Sequence, residues 1–139
     1  MTFNYDIFPE RRTIVARYTG LFTLGELTAA AQLLWSDPRY VRSYDGLVDI
    51  SHGSVAVAMR DVAPLMKFFR EHGNTSEGRW AAVASAPLTT AWALVYRRAL
   101  GARHPLEIFS TWEAACAFLG VDLRPDLPLV GGDGWAVVR

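Results

Sequence analysis

An aspartate and a histidine three residues apart, Asp49 and His52, have the types and the spacing needed for acid–base chemistry. They flank the end of a predicted central strand, residues 47–50, and open α/β sheets bind ligands at that edge. A carboxylate and an imidazole placed there could transfer a proton. The alternative, which we favour, is that Asp49 caps the following loop by accepting backbone N–H groups, as aspartates in turns do.

Other nucleophile and ligand candidates give weaker signals. Ser51 and Ser54 could accept a phosphoryl group, although serines are common in any connection between a strand and a helix. Cys116 falls on the inward face of a predicted helix, where a cysteine is more often a small core residue than a nucleophile. No glycine-rich loop joins a strand to a helix as phosphate-binding loops do. No pair of histidines has metal-ligand spacing among His52, His72 and His104.

The sequence therefore predicts neither a catalytic site nor a metal or cofactor. The composition indicates that the protein is a single globular domain, because 51% of the 139 residues are hydrophobic and 20% are charged. Fourteen basic and fourteen acidic side chains give no net charge, so non-specific binding to nucleic acid or to anionic membranes is not expected.

Cysteine usage and hydropathy predict a cytoplasmic location. The single cysteine forms no internal disulfide, which fits a reducing compartment. The first residues lack the basic start and the apolar core of a signal peptide. No apolar run approaches the roughly 20 residues of a membrane span, so membrane insertion is not expected.

Strand and helix patterns alternate along the chain. Residues 3–8 and 13–18 predict a hairpin that ends at Gly20, and Thr23 with Glu26 forms a capping box that opens the first helix. The second helix is predicted to start near Asp61 or to have a distorted first turn, because Pro64 removes a backbone donor. Strands are predicted at residues 79–85 and 105–109.

The last two helices carry clear apolar faces. The third is predicted to start at Pro87. Its predicted inward-facing residues are Leu88, Ala91, Trp92, Val95, Tyr96 and Ala99. A capping box from Ser110 to Glu113 is predicted to open the fourth, with these residues inward: Trp112, Ala115, Cys116 and Leu119.

The sum is β-β-α-β-α-β-α-β-α, an α/β fold with a mixed five-stranded sheet and helices packed on it. Only the first strand is expected to be antiparallel. The predicted core includes Val15, Leu47, Val48, Val83, Trp92 and Phe109. Residues 1–120 form the predicted domain. Residues 121–139 form a Pro/Gly-rich tail that is either disordered or packed as an arm.

This element order resembles SpoIIAA-like (STAS-like) domains, in particular their uncharacterised bacterial branch. The resemblance covers residues 3–120 and rests on three short segments of the sequence. Residues 35–38 close the first helix, residues 47–51 are similar to the family's leucine-aspartate-leucine-serine strand end, and residues 109–119 resemble its closing phenylalanine and alanine-rich helix.

The resemblance also implies a missing switch. In the anti-sigma-factor antagonists of this superfamily, an aspartate-serine-serine-glycine run opens the second helix, and a partner kinase phosphorylates one serine. Residues 57–60 stand at that run here and contain no hydroxyl, with Ala58 among them. Partner binding is thus expected to be constitutive at this position, since a methyl group accepts no phosphate.

We therefore expect a non-enzymatic, cytoplasmic protein-interaction or regulatory module with a protein partner, a homodimer being one form. The alternative is a small apolar, lipid-like ligand in a pocket under the second and third helices, although the chain lacks the extra helices that enclose the cavity of lipid-exchange domains on this fold. An enzyme using Asp49 and His52 is third. The expected ligand or partner surface comprises Asp49, Ser51, His52, Ser54, Ala58, Met59 and Trp135.

Overall fold

The computed structural model describes residues 1–56, 58–71, 77–100, 105–125 and 127–129. Within those ranges the elements, in chain order, are β1 Thr2–Phe8, β2 Thr13–Thr23, α1 Leu24–Trp35, β3 Asp45–Ala56, α2 Val62–Glu71, β4 Trp80–Val83, α3 Pro87–Leu100, β5 Leu106–Phe109 and α4 Trp112–Leu119. Short 3-10 turns, Pro9–Arg11 and Met59–Asp61, precede β2 and α2. The predicted order of strands and helices is confirmed.

The strands form one mixed sheet in the order β1-β2-β3-β4-β5. β1 and β2 are antiparallel because a single short turn joins them. The other neighbours are parallel because a helix connects each pair. The predicted α/β class with a mixed five-stranded sheet is confirmed. No helix in the described ranges has both the length and the apolar character to cross a membrane.

β2 and β3 are longer than the sequence predicted. We expected them to end at residues 18 and 50, but they continue to pair as far as Thr23 and Ala56. Gly20 does not break β2. It stays in the strand with φ of 90°, a conformation that costs glycine little, and a side chain there would crowd the backbone of Met1. The stretch predicted as a loop after residue 50 is therefore strand.

A bulge lies in the middle of this long β2–β3 pair. Arg17 is opposite Asp49 and Thr19 is opposite His52, so β3 contains one residue more than β2 across this step. An extra residue reverses the alternation of side chains. The residues of β3 that face the helices change accordingly, from Val48 and Ile50 before the bulge to Gly53 and Val55 after it.

Helices α1, α2 and α3 cover one side of the sheet, here called the three-helix face. Its buried cluster combines side chains of β1, β2 and α1: Phe3, Tyr5, Ile7, Ile14, Ala16, Phe22, Ala30 and Leu34. Trp35 of α1 stacks on Phe68 of α2, with ring centroids 5.9 Å apart. This stack joins the two helices above the sheet.

Helix α4 and the chain after it cover the opposite side, here called the α4 face. Its buried cluster comprises Val15, Leu47, Ala81, Val83, Trp112, Ala115, Cys116, Leu119 and Leu123. The predicted inward side of α4 is thus confirmed. Residues 121–125 and 127–129 of the predicted tail pack on their own domain, with Leu123 buried and Leu127 half-buried against this cluster. These residues therefore form a packed arm, which is one of the two forms expected for the tail.

Of the predicted core, Val15, Leu47 and Val83 are buried on the α4 face. Val48 and Trp92 are only half-buried because they border a cavity on the three-helix face. Phe109 is also half-buried, at the edge strand, where its ring contacts that of Phe118 at 5.3 Å. The core prediction is therefore right for the first three residues and too strong for the others.

Local start signals were read correctly at three helices, including the start of α3 at Pro87, and one residue early at the fourth. Thr23 accepts the Glu26 N–H at 3.3 Å and caps α1. A 3-10 turn distorts the entry to α2, as Pro64 predicted. The N-cap of α4 is Thr111, not Ser110, because Thr111 keeps the extended backbone that an N-cap needs and accepts the Ala114 N–H at 3.2 Å.

The predicted inward face of α3 is right for Trp92, which lines the cavity described below, and wrong for Leu88 and Ala91. The side chains of Tyr96 and Ala99 lie outside the described residues. Leu88 is 70% exposed and Ala91 is exposed, whereas Thr89 and Ala93 are buried. The reason is a buried bond, in which the Thr89 hydroxyl donates to the carbonyl of Gly53 at 3.2 Å. This bond turns Thr89 toward β3 and leaves the neighbouring leucine in solvent.

Candidate functional site

A cavity of about 220 Å³ lies between the three-helix face and helices α1, α2 and α3. Its floor is one row across the sheet, in which Ala16 of β2, Val48 of β3 and Ala82 of β4 are register neighbours. Two of these three side chains are methyl groups, so the sheet fills little of the space under the helices. The cavity is a consequence of small residues at the centre of the floor.

Apolar side chains from every surrounding helix form the walls. α1 contributes Leu27 and Leu34, α2 contributes Leu65, and α3 contributes Trp92 and Ala93. In α1, Leu27, Ala31 and Leu34 follow the spacing that places side chains on a single helical face. The sequence interpretation placed an apolar pocket under the second and third helices; α1 forms this cavity as well.

Trp80 lines the same space from β4, and a glycine lets it do so. Gly46 is the register partner of Trp80 on β3. A Cβ at residue 46 would lie 2.5 Å from three atoms of the indole ring. A side chain at Gly46 would therefore displace the tryptophan.

Few polar groups line the cavity. Thr89 already donates its hydroxyl to Gly53, and Ser54 lies at an exposed position of β3. Tyr18 and Tyr40 contribute aromatic rings that end in hydroxyls. Burial raises the pKa of both tyrosines, and in Tyr40 the nearby Arg42 opposes this shift. No lining residue within the described ranges carries a formal charge.

The acidic half of the candidate acid–base pair lies on the other side of the sheet. Asp49 is 4% exposed. Its Oδ1 accepts the N–H and the hydroxyl of Ser51, and its Oδ2 accepts the indole N–H of Trp112 at 2.9 Å. Arg17 lies on the same oxygen, with Nε 3.8 Å away. The capping role favoured from the sequence thus describes the contacts of Asp49, although Ser51 belongs to a strand.

Arg17 links this carboxylate to the C-terminal arm. Its guanidinium lies over the Trp112 ring at 5.9 Å and donates to the Pro125 carbonyl at 2.6 Å. Arg11 holds the same arm through the Asp122 carbonyl at 3.1 Å. Asp49, Arg17 and Trp112 therefore form one structural network that fastens β2, β3 and α4 together.

His52 is exposed and shares no described contact with Asp49. The two residues lie three positions apart along β3, and both oxygens of Asp49 already accept hydrogen bonds from Ser51 and Trp112. Ser51 is half-buried beside Asp49, and Ser54 is exposed. The structure therefore does not bring the predicted acid–base pair together. A partner surface at this edge remains a prediction, and the buried carboxylate of Asp49 contributes no exposed area to it.

Ala58 stands at the entry to α2 and is exposed. The carboxylate of Asp61 accepts the Ala58 N–H at 2.9 Å, and the Asp61 N–H bonds back to the Ala58 carbonyl at 2.9 Å. This is the carboxylate half of a capping box, with a methyl group in place of the hydroxyl. The side chain of Met59 and all of Trp135, His72 and His104 lie outside the described residues.

Cys116 is buried, and its Sγ lies 3.5 Å from the Leu123 carbonyl. This matches its interpretation as a core residue. Within the described ranges, no three acidic, histidine or cysteine side chains group as a metal site.

A polar cluster at the rim of the three-helix face fixes the connection from α1 to β3. Arg39 binds both Asp37, at 3.0 Å, and Asp6, at 2.9 Å. The Tyr5 hydroxyl donates to Asp37 at 3.0 Å. Hydrogen bonds from Arg39 lower the pKa of Asp37 to about 2, and burial followed by the Asp37 bond raises the pKa of Tyr5 to about 12. This connection carries Tyr40 onto the cavity.

The sequence interpretation missed the cavity floor. Ala16 and Ala82 look like ordinary strand alanines, and only the register places them beside each other under the helices. The available signal was the alanine content of strands that were otherwise predicted to be buried. That signal predicts spare volume only after the strands have been aligned.

No protein-family model matches the sequence, and no curated protein matches it either. Among solved structures, a crystal structure of an uncharacterised DUF3478-family protein from Shewanella loihica PV-4, described as having a SpoIIAA-like fold, is similar with a TM-score of 0.55. The match covers 85% of this chain and 94% of that chain at 14% identity. At this identity the likeness shows the fold alone. The SpoIIAA-like fold predicted from the sequence is confirmed.

Proposed function

We propose that this protein is a non-enzymatic binding module that holds a small apolar ligand between the sheet and helices α1, α2 and α3. The observation that carries the proposal is the cavity of about 220 Å³ with an almost entirely apolar lining. Ligand sites are concave and mainly apolar, with a few polar groups that fix orientation. Because of this lining, we rank the binding of a small ligand above the protein-interaction role that the fold resemblance first suggested.

The size of the cavity defines the size of the ligand. An apolar cavity of about 150 Å³ holds a benzene molecule with six heavy atoms, so at the same ratio 220 Å³ accommodates about nine. Packed protein interiors leave few voids larger than a water molecule. A concave site of this size lined mainly by apolar side chains favours an apolar guest, since water inside it finds few hydrogen-bond partners.

The arrangement of polar groups supports a non-enzymatic role. Asp49 spends its lone pairs on Ser51 and Trp112, and it lies on the α4 face, away from the cavity floor. A general base has to reach a substrate proton within hydrogen-bond distance. The best acidic candidate in the described ranges is therefore committed to structure.

Binding of propylbenzene, which has nine heavy atoms, tests the proposal. We expect saturable binding by calorimetry, and Ala82→Leu should weaken it about 10- to 100-fold because the added isobutyl group enters the cavity. The matched control is Ala117→Leu, which adds the same atoms at an exposed position of α4 and should leave affinity unchanged. Native mass spectrometry of the purified protein should also show a retained apolar molecule. No binding to the wild-type protein, or equal binding by Ala82→Leu, would overturn the proposal.

A second candidate function, association with a protein partner, is favoured by the outer side of α3. Leu88 is 70% exposed and Leu94 is 48% exposed, and Ala91 is exposed one turn from each. The partner we propose is a second copy of the chain, because zero net charge gives two copies no overall repulsion. Sedimentation should show a dimer that Leu94→Ser weakens, with Val41→Ser as the exposed apolar control. A monomer at all concentrations would exclude this association.

A further inference from the structure

The hydroxyl of Tyr18 is a polar group of the cavity that bonds to no residue of the described part of the chain. Tyr18 lies at the β2–β3 bulge and lines the cavity. Its ring packs on Phe3 at 4.8 Å and edge-on against Phe22 at 4.9 Å. These two contacts hold the ring in one place, so the direction of its hydroxyl is set by the core.

The surroundings of Tyr18 indicate that this hydroxyl meets the cavity. Protein atoms surround the side chain closely enough that burial alone raises its pKa. The residue nevertheless keeps accessible surface, being half-buried, and the open volume beside it is the cavity. The hydroxyl bonds to no described residue. Within the described ranges, the side-chain oxygen that is both fully buried and unpaired is Oε2 of Glu26, so the Tyr18 hydroxyl is not fully buried.

We propose that the ligand of this cavity is an uncharged molecule with one hydrogen-bonding oxygen, an alcohol, a phenol or a carbonyl, that pairs with the Tyr18 hydroxyl. This inference rests on the proposed function and specifies its ligand class. A buried hydroxyl without a partner costs free energy, and a ligand oxygen removes that cost. A phenol both donates and accepts, so each of these oxygens is a suitable partner.

The lining of the cavity favours an uncharged ligand. None of the lining residues in the described ranges is an aspartate, glutamate, lysine, arginine or histidine. An ionised guest would lose its hydration without gaining an opposite charge, which is a large penalty. Ionised fatty acids and amines of the same size are therefore excluded, and their neutral alcohol counterparts are accepted.

The other polar groups of the lining are poorer partners for a guest. Thr89 is paired with Gly53, and Ser54 is exposed. Tyr40 lies outside the sheet, in the connection between α1 and β3. Tyr18 lies on the sheet itself, two residues after the floor residue Ala16 along β2. This position places its hydroxyl on the sheet side of a guest that rests on the floor.

Two probes that differ by one oxygen test the inference: propylbenzene and 4-propylphenol. Tyr18→Phe should weaken 4-propylphenol binding about 3- to 10-fold and change propylbenzene binding less than about twofold. Tyr18→Phe keeps the ring contacts with Phe3 and Phe22, so folding should be retained, which circular dichroism checks. Tyr5→Phe is the matched control, because its hydroxyl already bonds to Asp37, and it should change neither affinity. Ionised 4-propylbenzoate should not bind.

Several results would contradict the inference while the proposed function stands. These are equal effects of Tyr18→Phe on both probes, a selective loss in Tyr40→Phe instead, or binding of 4-propylbenzoate as tight as that of 4-propylphenol. Failure of the wild-type protein to bind either neutral probe would overturn the proposed function, and this inference with it.

Discussion

The two faces of the sheet use neighbouring residues of the same strands for opposite purposes. On the α4 face, Leu47 and Ala81 are fully buried under α4, and the carboxylate of Asp49 has hydrogen-bond partners on both oxygens. On the three-helix face, Val48 and Ala82 border an open cavity. The α4 face is filled and its buried carboxylate is paired, whereas the three-helix face keeps an open cavity beside its buried cluster.

This difference separates the part of the molecule that holds the fold from the part that has space for a guest. Filled cores stabilise proteins because nearly every buried atom has a neighbour. A cavity of about 220 Å³ loses such contacts, which fits the proposal that a guest occupies it. If the comparison is right, substitutions on the two faces should have effects of different size.

The largest effect is expected at Asp49. Replacing it with alanine leaves the Trp112 indole N–H and the Ser51 N–H without their acceptor and Arg17 without its counter-ion. Removing one partner of a buried charge network costs about 3–5 kcal/mol. Urea unfolding of Asp49→Ala measures this loss. The control is Asp122→Ala, an exposed aspartate on the same face, which should cost less than about 0.5 kcal/mol. A loss below about 1 kcal/mol at Asp49 would show that the network is dispensable.

The sequence predicted the α4 face well because its signals are local. The inward residues of α4 follow helical spacing, and Gly120 closes the helix with φ of 71°. The order of elements and the parallel pairing also followed from alternating patterns. In each case a short window of sequence contains the cause.

The three-helix face was predicted less well because its causes are not local. The extension of β3 to Ala56 requires β2 to extend beside it, and each strand alone looked short. α3 is apolar on several sides, so the face that periodicity indicated is exposed at Leu88 and Ala91, and the bond from Thr89 to Gly53 turns another side inward. The cavity floor depends on register between Ala16 and Ala82, which lie far apart in the sequence.

A smaller but sharper contrast is expected at two consecutive alanines of β4. Ala81 is fully buried on the α4 face, and Ala82 faces the cavity. Ala81→Leu should destabilise the protein by about 1–3 kcal/mol through overpacking. Ala82→Leu should leave stability unchanged or raise it by about 0.5–2 kcal/mol, because it fills empty volume. Thermal and urea unfolding of the two variants give the comparison. Equal destabilisation by both would mean that the three-helix face is as tightly packed as the α4 face.

The smallest effect concerns the ion pairs of Arg39, which lie at the rim of the three-helix face. Hydrogen bonds from Arg39 hold the pKa of Asp37 at about 2, below its ordinary value of 3.8. A lowered carboxylate pKa stabilises the folded state above the unfolded pKa, and this contribution is lost as pH falls from about 4 to 2. The Arg39 side chain is 44% exposed, so solvent screening reduces the contribution to about 1 kcal/mol.

Asp37→Asn should therefore lower stability by about 1 kcal/mol at pH 7 and by almost nothing near pH 2, which flattens the acid limb of the stability curve. Urea unfolding at a series of pH values measures it, and Glu10→Gln, an exposed carboxylate beside β2, should leave the limb unchanged. An acid limb that Asp37→Asn leaves intact would mean that another carboxylate produces it. A loss at pH 7 as large as that of Asp49→Ala would mean that this rim supports the fold as strongly as the α4 face does.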